Sequence, residues 1–382
     1  MNIRATAMTS GHDRRYRLLL TVPHLTNTAS PYREMMALAR YLPNDHFQIT
    51  ICSLRENGYA ETAPLLEKLG CQVMVARFRP RGKTISHLWA SLKDQKLIAR
   101  YGPFDIQHSF DFTSSPLEAL FSRIHSPRFI FSQRSLQFGS KVGIWLKIRL
   151  AHKIVAISDA IVLFLKKLGA GPDKIEKISL GIDQGEDNAK KSLAKTGARY
   201  ILSVGHIQKR KRHQDAIYAC ARLIPEVPDL SLLIAGEVYD PDYCQELEQL
   251  ADSLGIKSQV HFLGVRDDIP SLMQEASALL LCSEREPFGW VILEAMSVGL
   301  PVIASDSGGP GEIITDSLTG VLVPVGDIDG YALSLRKIIL NPEWAADLAG
   351  NALDLIATKY SAQAMVAQHA VMYKNLIKKD SY

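Results

Sequence analysis

Two carboxylates eight positions apart, Glu286 and Glu294, bracket the segment Pro287-Phe288-Gly289, which follows the apolar run Ala278–Cys282. Pro287 and Gly289 predict a tight turn and Trp290 to Met296 a helix. The first N–H groups of such a helix have no partner inside it and lie at its positive end, which suits them to hold a diphosphate. Glu286, just before the helix, is placed to face a sugar. Glu294, about one turn inside, is placed to accept hydrogen bonds from ribose hydroxyls.

A second segment supplies positive charge. The strand-like run Tyr200–Val204 ends at Gly205 and is followed by His206 and four consecutive cations, Lys209, Arg210, Lys211 and Arg212. Cations at the C-terminal end of a parallel strand suit an anionic diphosphate leaving group, and Lys211 is the first candidate. The alternative is a solvated basic loop. A third segment, Ser305 to Glu312, has glycines at 308, 309 and 311, where a backbone is able to approach a ligand closely.

The elements that position these groups read as two parallel sheets wrapped by helices, because short Val/Ile/Leu-rich runs alternate with longer stretches of helical period. In the first half, strands are predicted at Arg17–Val22, Phe47–Ser53, Gln72–Val75, Ile106–His108, Phe129–Ser132 and Lys153–Ile157. The pattern restarts with Tyr200–Val204, Ser231–Ala235, Val260–Leu263, Ala278–Cys282, Pro301–Ala304 and Gly320–Pro324. A polar stretch from Gly181 to Ala198 reads as the linker. The expected division is an N-terminal acceptor domain over 1–182, a C-terminal donor domain over 183–360, and a terminal helix over 361–382 that crosses back to the first domain. A chain of 382 residues with 47% hydrophobic and 22% charged residues is of ordinary globular composition and long enough for two cores.

The net charge of +4 conceals an asymmetry. Residues 1–182 carry 26 Lys/Arg against 13 Asp/Glu, a net of +13, and residues 183–382 carry 18 against 27, a net of −9. Basic residues cluster at Arg77, Arg79, Arg81 and Lys83, and again at Lys141, Lys147, Arg149 and Lys153, interleaved with Ile144, Trp145, Leu146, Ile148 and Leu150. A basic amphipathic stretch suits an anionic membrane surface or an anionic acceptor, or is a helix with one side in the core. No aromatic-interleaved basic motif points to nucleic acid. The polar, basic start Met1–Arg17, the absence of a long apolar run and five scattered cysteines lead us to expect a cytoplasmic protein, peripheral at the inner face of the membrane if it meets one.

The second half is similar to glycosyltransferase family 4, a retaining family of the GT-B fold with two facing Rossmann-like domains. The resemblance rests on Glu286 and Glu294 with Pro-Phe-Gly between them and Glu-Ala-Met after, on Val260-His-Phe-Leu-Gly before, and on Gly299-Leu-Pro-Val-Ile, Gly308-Gly309, Glu312 and Gly320-Val-Leu-Val-Pro after. It implies that Glu286 meets the donor sugar and Glu294 the ribose, with Phe288 and Gly289 in the turn and the amides near Val291 and Ile292 on the diphosphate. It implies further that Lys211 binds phosphate and that the loop Phe262 to Gly264 lies near the base. His206 stands where the family has Arg, so that contact is weakened unless His206 is protonated or Arg210 substitutes.

The first half resembles the family more loosely. The family's glycine pair aligns with Ala29-Ser30, and its His-x-His appears as His108-Ser109-Phe110, followed by Asp111, so the second histidine is missing. By resemblance, Ser30, His108, Asp111 and Arg134 are the acceptor-side candidates, although His108 reads rather as a packed residue or one behind the contact layer. The implied reaction moves a sugar with retention from a UDP- or GDP-sugar to a glycan or lipid-linked acceptor in cell-envelope or exopolysaccharide synthesis. The departing phosphate takes the acceptor proton, and neither metal nor cofactor is expected. Two other readings stay open: a non-catalytic nucleotide-sugar-binding protein and an epimerase of the same fold. A nicotinamide dehydrogenase lacks support, because no G-x-G-x-x-G follows the first strand of either half.

Overall fold

A computed structural model describes residues 15–26, 30–76, 96–110, 115–183 and 199–378. The cluster Arg77 to Lys83, Asp111 and most of the linker lie outside these residues. The first sheet contains β1 (Tyr16–Val22), β2 (Phe47–Ser53), β3 (Gln72–Val75), β4 (Ile106–Ser109), β5 (Phe129–Gln133), β6 (Lys153–Ala156) and β7 (Ile175–Lys177), in the order β3-β2-β1-β4-β5-β6-β7. The second contains β8 (Tyr200–Val204), β9 (Ser231–Ala235), β10 (Val260–Gly264), β11 (Ala278–Leu281), β12 (Val302–Ser305) and β13 (Val321–Val323), in the order β10-β9-β8-β11-β12-β13. Neighbouring strands are parallel throughout.

Burial explains why the strands read so clearly. Leu18 to Val22 in β1 and all four residues of β11 are buried, as strands covered by helices on both faces must be. The apolar-run reading misses only β7, whose Ile-Glu-Lys sequence is short and polar because it sits on an edge with one neighbour.

On the first sheet lie α1 (Ser30–Tyr41), α2 (Tyr59–Lys68), α3 (Leu117–Phe121), α4 (Lys141–Leu150) and α5 (Asp159–Lys167). The second carries α6 (His213–Leu223), α7 (Pro241–Ser253), α8 (Ile269–Glu275), α9 (Trp290–Ser297), α10 (Gly309–Ile313), α11 (Ile328–Leu340) and α12 (Pro342–Thr358). Among the described residues no helix is long and apolar enough to cross a membrane. The basic stretch forms α4, capped by Ser140, and it turns Ile144, Lys147 and Ile148 inward. The Lys147 ammonium is buried 4.8 Å from the Phe131 ring centre, so this cation is not part of a basic surface. Val142, Trp145 and Arg149 face out.

The chain passes between the two sheets at Gly181–Ile182 and again at Tyr360–Ala362, and the two passages lie side by side. The Ile182 amide donates to the Tyr360 carbonyl and the Ala362 amide to the Ile182 carbonyl, each at 2.8 Å. A Cβ on Gly181 would lie 2.3 Å from the Ser361 carbonyl oxygen, so the approach demands glycine there. The terminal helix α13 (Ala362–Lys378) then packs against α1 and the first sheet, burying Met365, His369 and Tyr373. Arg128 donates from Nε to the Leu376 carbonyl at 3.1 Å, satisfying an orphan acceptor of the last turn.

A second tie joins the sheets through Glu312 of α10. Its carboxylate accepts from the Asp159 amide at 2.6 Å, capping α5 of the other domain, and pairs with Lys177 at 2.9 Å.

Candidate functional site

The four cations after β8 divide by partner. Lys209 reaches Glu246 at 3.3 Å on the outer surface, and Arg212 holds the buried Asp215 through two bonds of 2.7 and 3.1 Å. Arg212 adopts the left-handed conformation (φ 51°), which turns the chain sharply into α6. Arg210 and Lys211 remain to face a cavity of about 460 Å³ at the C-terminal ends of β8 and β9. Gly205 and Gly236 line it too. A Cβ on Gly236 would lie 2.0 Å from the Gly205 carbonyl oxygen, so bare backbone is what lets these strand ends meet.

Glu286, Gly289, Trp290, Val291 and Glu294 line the opposite wall. Gly289 caps α9 in a positive-φ conformation (99°) and aims the first amides of the helix into the cavity mouth. The glycine loop after β12 supports this turn from behind. The Gly309 amide donates to the Glu286 carbonyl at 2.9 Å, and a Cβ on Gly309 would fall 2.4 to 2.6 Å from the Phe288 backbone. This corrects one expectation: Gly309 is bare so that protein backbone, not a ligand, is able to approach it.

Four of the charged groups form two ion pairs. Lys211 Nζ lies 2.6 Å from a Glu286 carboxylate oxygen, with both side chains largely buried. Arg33 of α1 reaches across from the other domain to pair with Glu294, and its guanidinium lies 5.5 Å from the Trp290 ring centre. His206 also lines the cavity. Its ring lies 4.3 Å from Tyr239, and burial, aided by the nearby Lys211 charge, lowers its pKa from the ordinary histidine value. His206 is therefore neutral at pH 7, and Arg210 is the cation beside it.

Other residues sit differently from expectation. Phe288 and Ile292 belong to the core, 3% and 0% exposed, with Phe288 against Tyr360 at 6.3 Å. Their side chains brace α9 and do not line the cavity. Beyond β10 the wall comes from Val265, Arg266 and Ile269, not from Phe262 or Gly264, because Phe262 packs on the apolar cluster of the second sheet.

On the facing domain, Ser30 is the first residue of α1, and Asp111 lies outside the described residues. His108 and Arg134 turn inward, which corrects their place as acceptor contacts. His108 is wholly buried, bonded through Nδ1 to the Tyr373 hydroxyl at 2.7 Å and through Nε2 to Ser132 Oγ at 2.9 Å, and burial holds its pKa well below normal. Arg134 pairs with the buried Glu34, and its guanidinium lies 5.7 Å from the Phe110 ring centre. Glu34 also meets His369 of α13 at 3.1 Å. Where the resemblance leads one to expect a histidine facing the cleft, the fully buried Phe110 packs 4.4 Å from the His108 ring. Arg33, Gly236, Trp290, Val265, Arg266 and Ile269 are among the lining residues that sequence reasoning missed. Arg33 carried a readable signal, a cation in the first turn of a helix that follows strand β1.

Comparison with known proteins places this geometry. The family described as "Glycosyltransferase Family 4" matches residues 33–186, and that described as "Glycosyl transferases group 1" matches residues 184–354. The chain belongs to the family 4 glycosyltransferases. N-acetyl-alpha-D-glucosaminyl L-malate synthase of Bacillus anthracis is 32% identical over 182 residues, 48% of this chain and 47% of that protein. The chain thus spans about half the length of this and other curated relatives it matches. A glycosyltransferase structure from Rickettsia africae superposes with a TM-score of 0.80 at 21% identity, covering 95% of this chain and 99% of that one. The Anabaena Alr3699/HepE structure in complex with UDP and glucose gives 0.77 at 21% identity, covering 94% and 100%. These likenesses identify the two sheets as the GT-B fold of family 4.

Proposed function

We propose that this family 4 member transfers a sugar, with retention at the anomeric carbon, from a UDP- or GDP-sugar to a glycan or lipid-linked acceptor of cell-envelope or exopolysaccharide synthesis. The observation that carries the reading is the meeting of Lys211 and Glu286 at 2.6 Å where α9 opens into the cavity, with Glu294 one turn further in. In this reading Lys211, Arg210 and the first amides of α9 hold the diphosphate and stabilise charge on the leaving oxygen. Glu286 orients the sugar and Glu294 the ribose. The leaving phosphate receives the acceptor proton, so no side chain need act as base. The cavity's volume suits a nucleotide sugar.

A membrane-surface acceptor is favoured by one face of the N-terminal domain. Leu120, Ile124, Val142 and Trp145 are exposed at 48%, 49%, 74% and 49%, on the adjoining helical segments α3, the turn after it, and α4. Arg123, Lys141 and Arg149 lie exposed among them, and from Ala119 to Ser158 the chain contains no Asp or Glu. Such a face suits the headgroup region of an anionic bilayer.

Calorimetric titration with UDP, GDP and ADP, followed by NMR of the sugar released from the matching donor, tests the reading. Selective binding of one diphosphate and first release of the anomer present in the donor support it. An inverted product refutes retention. Tight binding without any turnover in the presence of candidate acceptors favours the binding-protein alternative, toward which the neutral His206 and buried Phe110 point. Co-sedimentation with phosphatidylglycerol vesicles, lost in Trp145→Glu and absent with phosphatidylcholine, tests the membrane face.

A further inference from the structure

Arg33 belongs to the N-terminal domain, yet it lines the same cavity as Arg210, Lys211, Glu286 and Glu294 of the other domain. Its carboxylate partner, Glu294, is the group read as the ribose ligand. At the far end of α1, Tyr41 donates to Asp183 at 2.6 Å and Arg40 pairs with the same carboxylate, beside the passage between the domains. From Arg33 to Arg40 is about 10 Å of helix at ~1.5 Å per residue. A single rigid element therefore joins the cavity to the crossover.

Four of the charged groups that line the cavity are thus paired with one another: Lys211 with Glu286, and Arg33 with Glu294. A nucleotide diphosphate sugar presents the complement of that set, hydroxyls at both sugar rings and negative charge at the phosphates between them. The Arg33 side chain is 37% exposed, and an ion pair open to solvent is held weakly. A guanidinium fork binds phosphate oxygens through two charge-assisted bonds and so gains by the exchange.

We propose that Arg33 is a donor-binding residue supplied by the N-terminal domain, which gives up Glu294 to the ribose hydroxyls and takes hold of the diphosphate together with Arg210 and Lys211. The inference rests on the reading of this cavity as the nucleotide-sugar site. Through α1, it makes the grip on the donor a contact of both domains.

The test is calorimetry with UDP and GDP on wild type, Arg33→Met and Arg33→Lys, paired with ligand-observed NMR using uridine or guanosine, which contain no phosphate. Arg33→Met is expected to weaken diphosphate binding at least about tenfold, with nucleoside binding unchanged or stronger because Glu294 has lost its competitor. Arg33→Lys, which keeps the charge without the fork, is expected to fall between. Thermal melting of each variant reports whether it is folded, and the nucleoside signal reports whether the ribose site is intact. Wild-type diphosphate affinity in Arg33→Met, or tighter binding, overturns this inference alone. Failure of wild-type protein to bind either diphosphate overturns the donor reading and this inference with it.

Discussion

The two sheets are built alike, yet their strand ends are put to opposite use. At the C-terminal ends of β8, β9 and β11, polar groups and bare glycines open into the cavity. At the ends of β4 and β5, His108, Ser132 and Arg134 bond inward, to Tyr373, to one another and to Glu34. A parallel sheet guarantees a crevice at its strand ends. Whether the crevice binds a ligand depends on whether a further element covers it, and here α13 covers the first sheet while the second stays open to the cleft.

The contrast predicts unequal responses to acid. Buried against the first sheet are His108, held well below the ordinary value, and His125 and His369, each lowered to about 4, whereas the second domain buries His213 at about 4. A depressed histidine takes up its proton in the unfolded chain first, so stability is full above pH 6.5 and falls as pH drops toward 4. Each such group contributes up to about 1.4 kcal/mol per pH unit, so with three against one the N-terminal domain loses more stability than the other between pH 6.5 and 4.5. Calorimetric scans at both pH values should show the N-terminal transition moving further, and equal shifts would break the comparison.

Substitution at Gly309 probes the open side. Gly309→Ala places a Cβ into the Phe288 backbone and should cost about 3 kcal/mol and abolish diphosphate binding, read by melting and titration. Phe110→His probes the closed side by restoring the family's second histidine. Because that ring is fully buried, we expect a loss of about 2 kcal/mol and no gain in turnover; faster transfer would show that the inward packing is not what shapes this side. Lys211→Ala and Glu294→Ala should each lower donor affinity or turnover at least about tenfold while leaving the melting temperature nearly unchanged. The smallest effect has the opposite sign. Gly350, inside α12, has open space where a Cβ would stand, so Gly350→Ala should raise stability by about 0.5 to 1 kcal/mol.

What could be read in the sequence follows the same division. Twelve of the thirteen described strands and the helix at Trp290 were announced by local patterns, β7 excepted, because buried parallel strands must be apolar. Lys211, Glu286 and Glu294 were legible because a turn and a helix start force their positions. For Arg33 only its place at a helix start was legible; its pairing was not, since its partner lies 261 residues away and no local rule links them. Phe288 and Ile292 misled for a related reason: residues of a ligand-facing turn alternate between cavity and core, and motif membership does not say which side each one takes.

The two side-by-side passages at Ile182 and Ala362 have a consequence for the order in which the protein matures. The first sheet is synthesised before the second, but Tyr373 and His369, which close over His108, follow the whole second sheet in the chain and leave the ribosome after it. The N-terminal half must therefore wait, with one face uncovered, while the C-terminal sheet completes itself. The sheet that is made first is covered only after the second has been made.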